Sequence, residues 1–296
     1  MTSADVSATA EPKSTARAIP RRRFRITSDV GMGIVLGILG LLTFVPVIML
    51  FELSFKSEQQ MADSMWLPTW PLRFRNWDRA MRIMGPYMIN SFTFTVGTVV
   101  VSIGCATTSA YMLARYDFPG RELAYMAILG LMMIPGILTL LTRFIVVVKL
   151  KLNNTNWGIW LPLAAGAQGF QIIVLRTFFE SIPEEFFEAG RLDGAGEFRM
   201  LRSIALPLAK PILTTLVILQ CNGVWNAFIW PIMVLSDPRR YPAILGILAL
   251  RDIFLGAQDP GAEYAGYALA GLPVLILFAF SSRAFIRGLT SGAIKM

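Results

Sequence analysis

Histidine is absent from the 296-residue sequence, and its absence excludes several kinds of chemistry. No imidazole is available to act as a general base, to complete a Ser–His triad or to bind zinc. The sequence also lacks a G-x-x-x-x-G-K-[ST] pattern, so we expect no nucleotide binding through a P-loop. The only two cysteines, Cys105 and Cys221, lie inside apolar stretches, and their spacing gives no support for a disulfide.

Charged residues are scarce as well. They make up 16% of the sequence, against 55% hydrophobic residues and a mean hydropathy of +0.57. Soluble domains carry about 25% charged and about 45–50% apolar residues. The apolar residues form long runs, which predicts a membrane protein. We attribute the net charge of +8 to membrane topology, because no basic soluble face is evident, and we expect no nucleic-acid partner.

Six apolar stretches predict an all-α membrane protein with six transmembrane helices, since about 20 residues are needed to cross the hydrocarbon core. The basic residues Arg21, Arg22 and Arg23 precede the first stretch and place the N-terminus in the cytoplasm. An even number of spans then makes both termini cytoplasmic. We predict a disordered basic tail over 1–29, a six-span domain over 30–287 and a cytoplasmic C-terminal tail over 288–296. The predicted spans cover about 31–51, 88–113, 123–141, 157–175, 212–235 and 264–285.

The cytoplasmic connection between the fourth and fifth predicted spans, residues 178–210, is long and densely charged, and we call it the coupling segment. Pro183 suits the first turn of a helix, and Gly194 can supply the left-handed residue that ends it. A second helix is predicted from about Ala195 to Ala205, with Pro207 ending it. The sequence therefore predicts two short helices with a glycine turn between them, which protrude into the cytoplasm.

The coupling segment carries a motif with specific spacing. Glu188-Ala189-Gly190 is followed at fixed intervals by Gly194, Ile204 and Leu206-Pro207. This pattern resembles the E-A-A-x3-G-x9-I-x-L-P signature of binding-protein-dependent ABC importer permeases; the one departure is Gly190, where the family usually has alanine. Further segments are similar to the carbohydrate, maltose-permease-like subfamily: 109–111, 114–121, 133–135, 225–226 and 288–295.

The resemblance implies a non-catalytic subunit of an ATP-driven importer in the inner (plasma) membrane of a bacterial-type cell. ATP and Mg²⁺ would bind partner subunits, and this chain would hold no cofactor. The implied partners are a second permease in a heterodimer, two ATPase subunits, an extracytoplasmic solute-binding protein and membrane lipid. The residues expected to dock on the ATPase are Phe186, Phe187, Glu188, Ala189, Gly190, Asp193, Gly194, Ile204, Leu206 and Pro207.

Two further groups of residues are candidates for contact with the solute or with the binding protein. Polar residues within membrane spans usually face a cavity or a partner, so the candidates for the transport path are Asn90, Gln220, Asn222, Trp225 and Asn226. Packing between helices is the alternative for each of them. The resemblance implies that the outer loop 236–262 enters the binding protein's cleft, with candidates Leu250, Arg251, Asp252, Gln258 and Asp259.

The subfamily implies a sugar or oligosaccharide as the transported solute. Basic residues at the outer ends of the spans, including Arg73, Arg75 and Arg143, would attract anions. An acidic saccharide, a sugar phosphate or a glycerol phosphate is therefore an alternative solute. Contact with acidic patches on the binding protein would explain the same charges. An importer for another solute such as a polyamine is an alternative. An ion-driven secondary carrier is disfavoured by the lack of internal repeats and of buried ionisable clusters.

Overall fold

The computed structural model describes the backbone of residues 26–257 and 259–293, and the side chains of residues 31–254 and 259–281. Within those ranges every regular element is helical, which confirms the all-α class. The helices are α1 Ile26–Leu53, α2 Glu58–Asp63, α3 Arg75–Arg115, α4 Arg121–Met132, α5 Leu140–Lys149, α6 Asn156–Glu180, α7 Glu185–Leu192, α8 Glu197–Met200, α9 Leu206–Trp225, α10 Ile229–Val234, α11 Ala243–Ala257 and α12 Pro260–Ala293. A π turn, Leu201–Ala205, joins α8 to α9, and a 3₁₀ turn, Pro238–Arg240, precedes α11.

The chain divides into two units, Met1–Val47 and Ile48–Met296. The described part of the first unit is the N-terminal part of α1. In the second unit α3 is the central helix and packs against α6, α9, α11 and α12. Three clusters of buried apolar side chains lie along it, represented by Phe179, by Phe254 and by Trp230.

Five segments among the described residues are long and apolar enough to cross a membrane. They are Gly31–Leu53, Arg75–Arg115, Asn156–Glu180, Glu197–Trp225 and Pro260–Ser281. Each overlaps a predicted span, and the count of six spans and the cytoplasmic termini stay predictions. Of the predicted N-terminal tail over 1–29, residues 26–29 belong to α1 and residues 1–25 lie outside the described residues. Of the predicted C-terminal tail over 288–296, the backbone of 288–293 belongs to α12 and residues 294–296 lie outside the described residues.

The third predicted span, 123–141, is two helices rather than one. Helix α4 ends at Met132 and α5 begins at Leu140. Pro135 lies in the break, where it donates no backbone hydrogen bond and disfavours helical geometry at Ile134. The fifth predicted span, 212–235, also differs, since α9 ends at Trp225 and α10 begins at Ile229.

One further prediction about local structure is wrong. Pro207 does not end a helix: it lies in the first turn of α9. A π turn, in which hydrogen bonds join residues five apart instead of four, comes just before Pro207. Proline has no backbone N–H to donate, and the chain nevertheless continues through it as a helix. The predicted loop 236–262 contains the 15-residue helix α11, whose apolar side chains Leu250 and Phe254 are buried.

Candidate functional site

The coupling segment contains the bend that its sequence predicts. Gly194 has a φ of +72°, in the left-handed region that glycine adopts without strain. The N–H of Ala195 donates to the carbonyl of Gly190 at 2.9 Å, and the N–H of Gly194 donates to the carbonyl of Arg191 at 3.0 Å. This pair of bonds is a Schellman motif, which satisfies the last carbonyls of α7. The predicted turn at Gly194 is confirmed.

The inner face of α7 is packed into the helix bundle. Phe187 is 1% exposed and lies in the buried cluster of Phe179. Its ring centroid is 6.3 Å from that of Tyr111 on α3. The prediction that Phe187 faces the ATPase is therefore wrong: this side chain attaches α7 to α3 and α6.

Arg115, the last residue of α3, holds the start of the coupling segment. Its Nη1 donates to Glu184 Oε2 at 2.8 Å, and its Nη2 donates to the carbonyls of Phe179 and, at 2.6 Å, of Ile182. The guanidinium carbon is also 4.1 Å from the centroid of the Phe187 ring. One nearly buried side chain thus connects α3, the end of α6 and α7.

Two carboxylates of the coupling segment, Glu184 and Glu197, interact with polar side chains near them. Arg191 Nη1 donates to Glu184 Oε1 at 2.9 Å, so the Glu184 carboxylate is shared by two guanidinium groups. This hydrogen bond is the main cause that raises the pKa of Arg191. Burial, followed by the neighbouring Glu197 carboxylate, raises the pKa of Tyr116.

Several residues of the motif position the coupling segment. A Cβ at Gly190 would lie 3.0 Å from Ile204 Cδ1, so the glycine permits close packing of α7 against the π turn. Ile204 and Leu206 are partly buried against the Phe179 cluster. Pro207 is exposed at the start of α9.

The outer face of the coupling segment combines charged and large apolar side chains. Glu188, Ala189 and Asp193 are exposed, and their docking on an ATPase stays a prediction. Phe186 is 52% exposed, Leu192 89% and Phe198 73%. The sequence analysis did not predict Leu192 and Phe198 as exposed. Their position next to the glycine-containing turn 193–196 could have indicated it. Large exposed apolar side chains in polar surroundings are typical of an interaction surface.

The candidates for the transport path have unequal surroundings. Asn90 Nδ2 donates to the carbonyls of Arg239 and Tyr241, and Trp225 Nε1 donates to the carbonyl of Ala270, so both join segments of this chain. Gln220 accepts a hydrogen bond from Gln171 at 3.2 Å. Asn226 Nδ2 donates to Asn222 Oδ1 at 3.1 Å. Of the five, Asn226 lines a cavity of about 360 Å³.

The candidates for contact with a binding protein differ in how exposed their side chains are. Leu250 is 0% exposed and is therefore not available at the surface. Arg251 and Asp252 are exposed on α11. Asp259 forms an ion pair with Arg79 and accepts a hydrogen bond from the N–H of Ala262 in the first turn of α12. Gln258 lies outside the described residues.

Known proteins resemble this chain over most of its length. Residues 99–295 match the family described as "Binding-protein-dependent transport system inner membrane component". The chain is 30% identical over 280 residues to the probable ABC transporter permease protein YurM of Bacillus subtilis, covering 93% of this chain and 91% of that protein. It is 33% identical over 206 residues to the arabinooligosaccharides transport system permease protein AraQ of Halalkalibacterium halodurans, covering 70% and 72%.

A solved structure is similar as well. It is the crystal structure of a bacterial ABC transporter involved in the import of the acidic polysaccharide alginate, with a TM-score of 0.79, 25% identity and coverage of 90% of this chain and 98% of that chain. The fold and the candidate spans agree with a multi-pass protein of the inner membrane. The chain belongs to the binding-protein-dependent transport system inner membrane component family, and it is a permease of the ABC importer type.

Proposed function

We propose that this chain is the permease subunit of an ATP-driven importer for a saccharide, and that it couples hydrolysis on separate ATPase subunits to alternating access. The chain itself is not an enzyme, and ATP and Mg²⁺ bind to the ATPase pair. A second permease completes the pathway, and an extracytoplasmic binding protein delivers the solute. The family, which depends on binding proteins, supports this assignment.

One observation carries the coupling role: the two faces of α7 differ. Its inner face is joined to α3 and α6 through Phe187 and Arg115. Its outer face presents Phe186, Glu188 and Leu192. A force applied to the outer face therefore reaches the long helices through packed side chains. The exposed apolar and acidic groups suit a docking groove on the ATPase.

A saccharide is supported by the named relative AraQ and by the alginate transporter. The second of these imports an acidic polymer, which agrees with the basic residues that the sequence carries at the outer ends of its spans. An acidic saccharide is accordingly the preferred solute.

The coupling role is tested by a matched pair of glycine substitutions. Gly194→Val places a β-branched residue at a φ of +72° and should distort the turn. Gly196→Val is the control, because Gly196 has a φ of −73° and a Cβ there meets nothing within 4 Å. Co-purification of the ATPase with tagged permease from membranes should fall about tenfold or more in the first variant and stay unchanged in the second. Normal ATPase recovery and transport in Gly194→Val would contradict the proposal.

A further inference from the structure

The two interrupted helices meet at the same place. Residues 133–139 separate α4 from α5, and residues 226–228 separate α9 from α10. Gly136 and Ile137 of the first break line one cavity together with Asn226 and Phe228 of the second. In a membrane protein, non-helical backbone at membrane depth is tolerated where it lines a cavity or is covered by protein. Broken helices are also where many transporters bind their solutes.

Arg143 lies beside this junction, in the first turns of α5. Its Nη2 donates to the carbonyl of Gly136 at 2.9 Å and to the hydroxyl of Thr139 at 2.8 Å. Its guanidinium carbon is 6.0 Å from the centroid of the Trp230 ring on α10. The other terminal nitrogen, Nη1, would be 3.6 Å from a Cβ at Gly166 on α6. The guanidinium is therefore held between the first break and α6, and it lies near α10.

This cation has no anionic partner within the described part of the chain. Arg115, Arg121 and Arg176 each form ion pairs with acidic residues, whereas Arg143 contacts a carbonyl, a hydroxyl and an aromatic ring. Its Nε and Nη1 have no hydrogen-bond partner among the described residues. Arg143 lines a different cavity, of about 500 Å³, together with Thr139, Gln168 and Phe170. The two cavities share Gly136.

Arg143 is half-buried, and removing part of a charge from water is energetically costly unless an anion or hydrogen bonds compensate it. The free N–H groups of a guanidinium match the oxygen atoms of a carboxylate or phosphate, and such charge-assisted hydrogen bonds are the strong ones. The adjacent cavities provide room for a sugar ring, and the faces of aromatic side chains pack against apolar surfaces.

We propose that Arg143 binds the anionic group of the transported saccharide during its passage, at the junction of the two broken helices. The ligand chemistry is an oxyanion carried on a sugar, either a uronate carboxylate or a phosphate ester. This inference rests on the proposed import function and adds the residue that selects the anion.

Uptake by cells separates the two sources of the anion. The probes are a labelled uronate oligosaccharide, the same oligosaccharide with its carboxyl groups reduced to alcohols, and a labelled sugar phosphate. Cells with the wild-type chain should import one of the two anionic probes at least about tenfold faster than the reduced probe. Arg143→Gln should lower the ratio of anionic to reduced probe uptake about tenfold. Arg143→Lys should lower this ratio less, because lysine keeps the charge but not the planar donors.

Lys149→Gln is the matched control, since it removes one positive charge from an exposed position on the same helix and should leave the preference unchanged. Recovery of the assembled complex from membranes is measured for every variant. An unchanged preference in Arg143→Gln overturns the inference. Loss of assembly in Arg143→Gln, with normal assembly in Lys149→Gln, also overturns it, because Arg143 would then serve an interface.

Cells that lack the chain distinguish this inference from the proposed function. If none of the three probes requires the chain for uptake, the acidic-saccharide import function fails and the inference fails with it. If uptake of the reduced probe requires the chain as strongly as uptake of the anionic probes, only the inference about Arg143 fails.

Discussion

Arg115 and Arg143 are cations on helices of the same bundle, but their surroundings differ. Arg115 donates to a carboxylate and to two backbone carbonyls and covers an aromatic ring, so its donors serve the fold. Among the described residues Arg143 has a carbonyl and a hydroxyl as hydrogen-bond partners and no acidic partner, and it lines a cavity of about 500 Å³. A cation that is paired with a carboxylate and with backbone carbonyls of its own chain stabilises one arrangement of helices. A cation with free donors next to a cavity can bind a ligand.

The same contrast applies within α7. Phe186 and Phe187 are neighbours in sequence, yet one is half exposed and the other is buried. The buried ring packs α7 against the bundle, and the exposed ring is accessible at the surface. Substitutions at paired positions can therefore separate structural roles from contact roles.

The largest effect is expected for Phe187→Ala. Removing this buried ring should lower the free energy of unfolding by about 3–5 kcal/mol, because it leaves a cavity in the Phe179 cluster. Thermal unfolding of the purified protein in detergent measures the change. Phe186→Ala is the control: it should leave the unfolding temperature nearly unchanged and weaken recovery of the ATPase. Equal stability of the two variants would contradict the assignment of inner and outer faces.

A smaller effect is expected for Arg115→Gln. Loss of the guanidinium leaves the carbonyls of Phe179 and Ile182 without this donor and should destabilise the coupling segment by about 3 kcal/mol. Amide hydrogen exchange in α7 should then accelerate about a hundredfold. Arg143→Gln provides the comparison and should leave exchange in α7 unchanged. The contrast between the two arginines would be lost if both variants, or neither, accelerated exchange there.

The smallest effect is expected for Gly190→Ala, which introduces the residue usual in the family's motif. Alanine favours a helix interior by about 1 kcal/mol over glycine. The new Cβ would meet Ile204 Cδ1 at 3.0 Å, and this flexible side-chain end can shift by a few tenths of an ångström. Thermal unfolding should show a gain in stability of less than about 1 kcal/mol. A loss of more than about 1 kcal/mol would show that the contact with Ile204 is rigid.

Local signals in the sequence predicted the features that depend on a few neighbouring residues. The bend at Gly194 follows from the glycine after a short amphipathic helix, and the structure has it. Pro183 predicted the start of a helix to within two residues of α7. Pro207 was misjudged, because whether a proline ends a helix depends on the turn before it, and here that turn is a π turn.

Predictions that required a tertiary neighbour were less successful. Leu250 was a candidate for contact with the binding protein, but its side chain is buried between α11 and Gly266 of α12. Asn90 was a candidate for the path, with packing within the protein as the alternative, and its amide donates to backbone carbonyls about 150 residues later in the chain. A polar residue in an apolar run has the same sequence signal whether it faces a cavity or bonds to another helix.

The sequence by itself determined that this chain crosses a membrane, that its regular structure is helical and that a glycine-bent segment with the permease motif connects two of its long helices. These properties depend on local composition and spacing, which the chain carries without reference to its fold. Only the tertiary structure decided which face of α7 is anchored, and that Arg115 pairs with a carboxylate whereas Arg143 lines a cavity with no acidic partner among the described residues. The physical reason is that burial and the pairing of charges are set by neighbours distant in sequence.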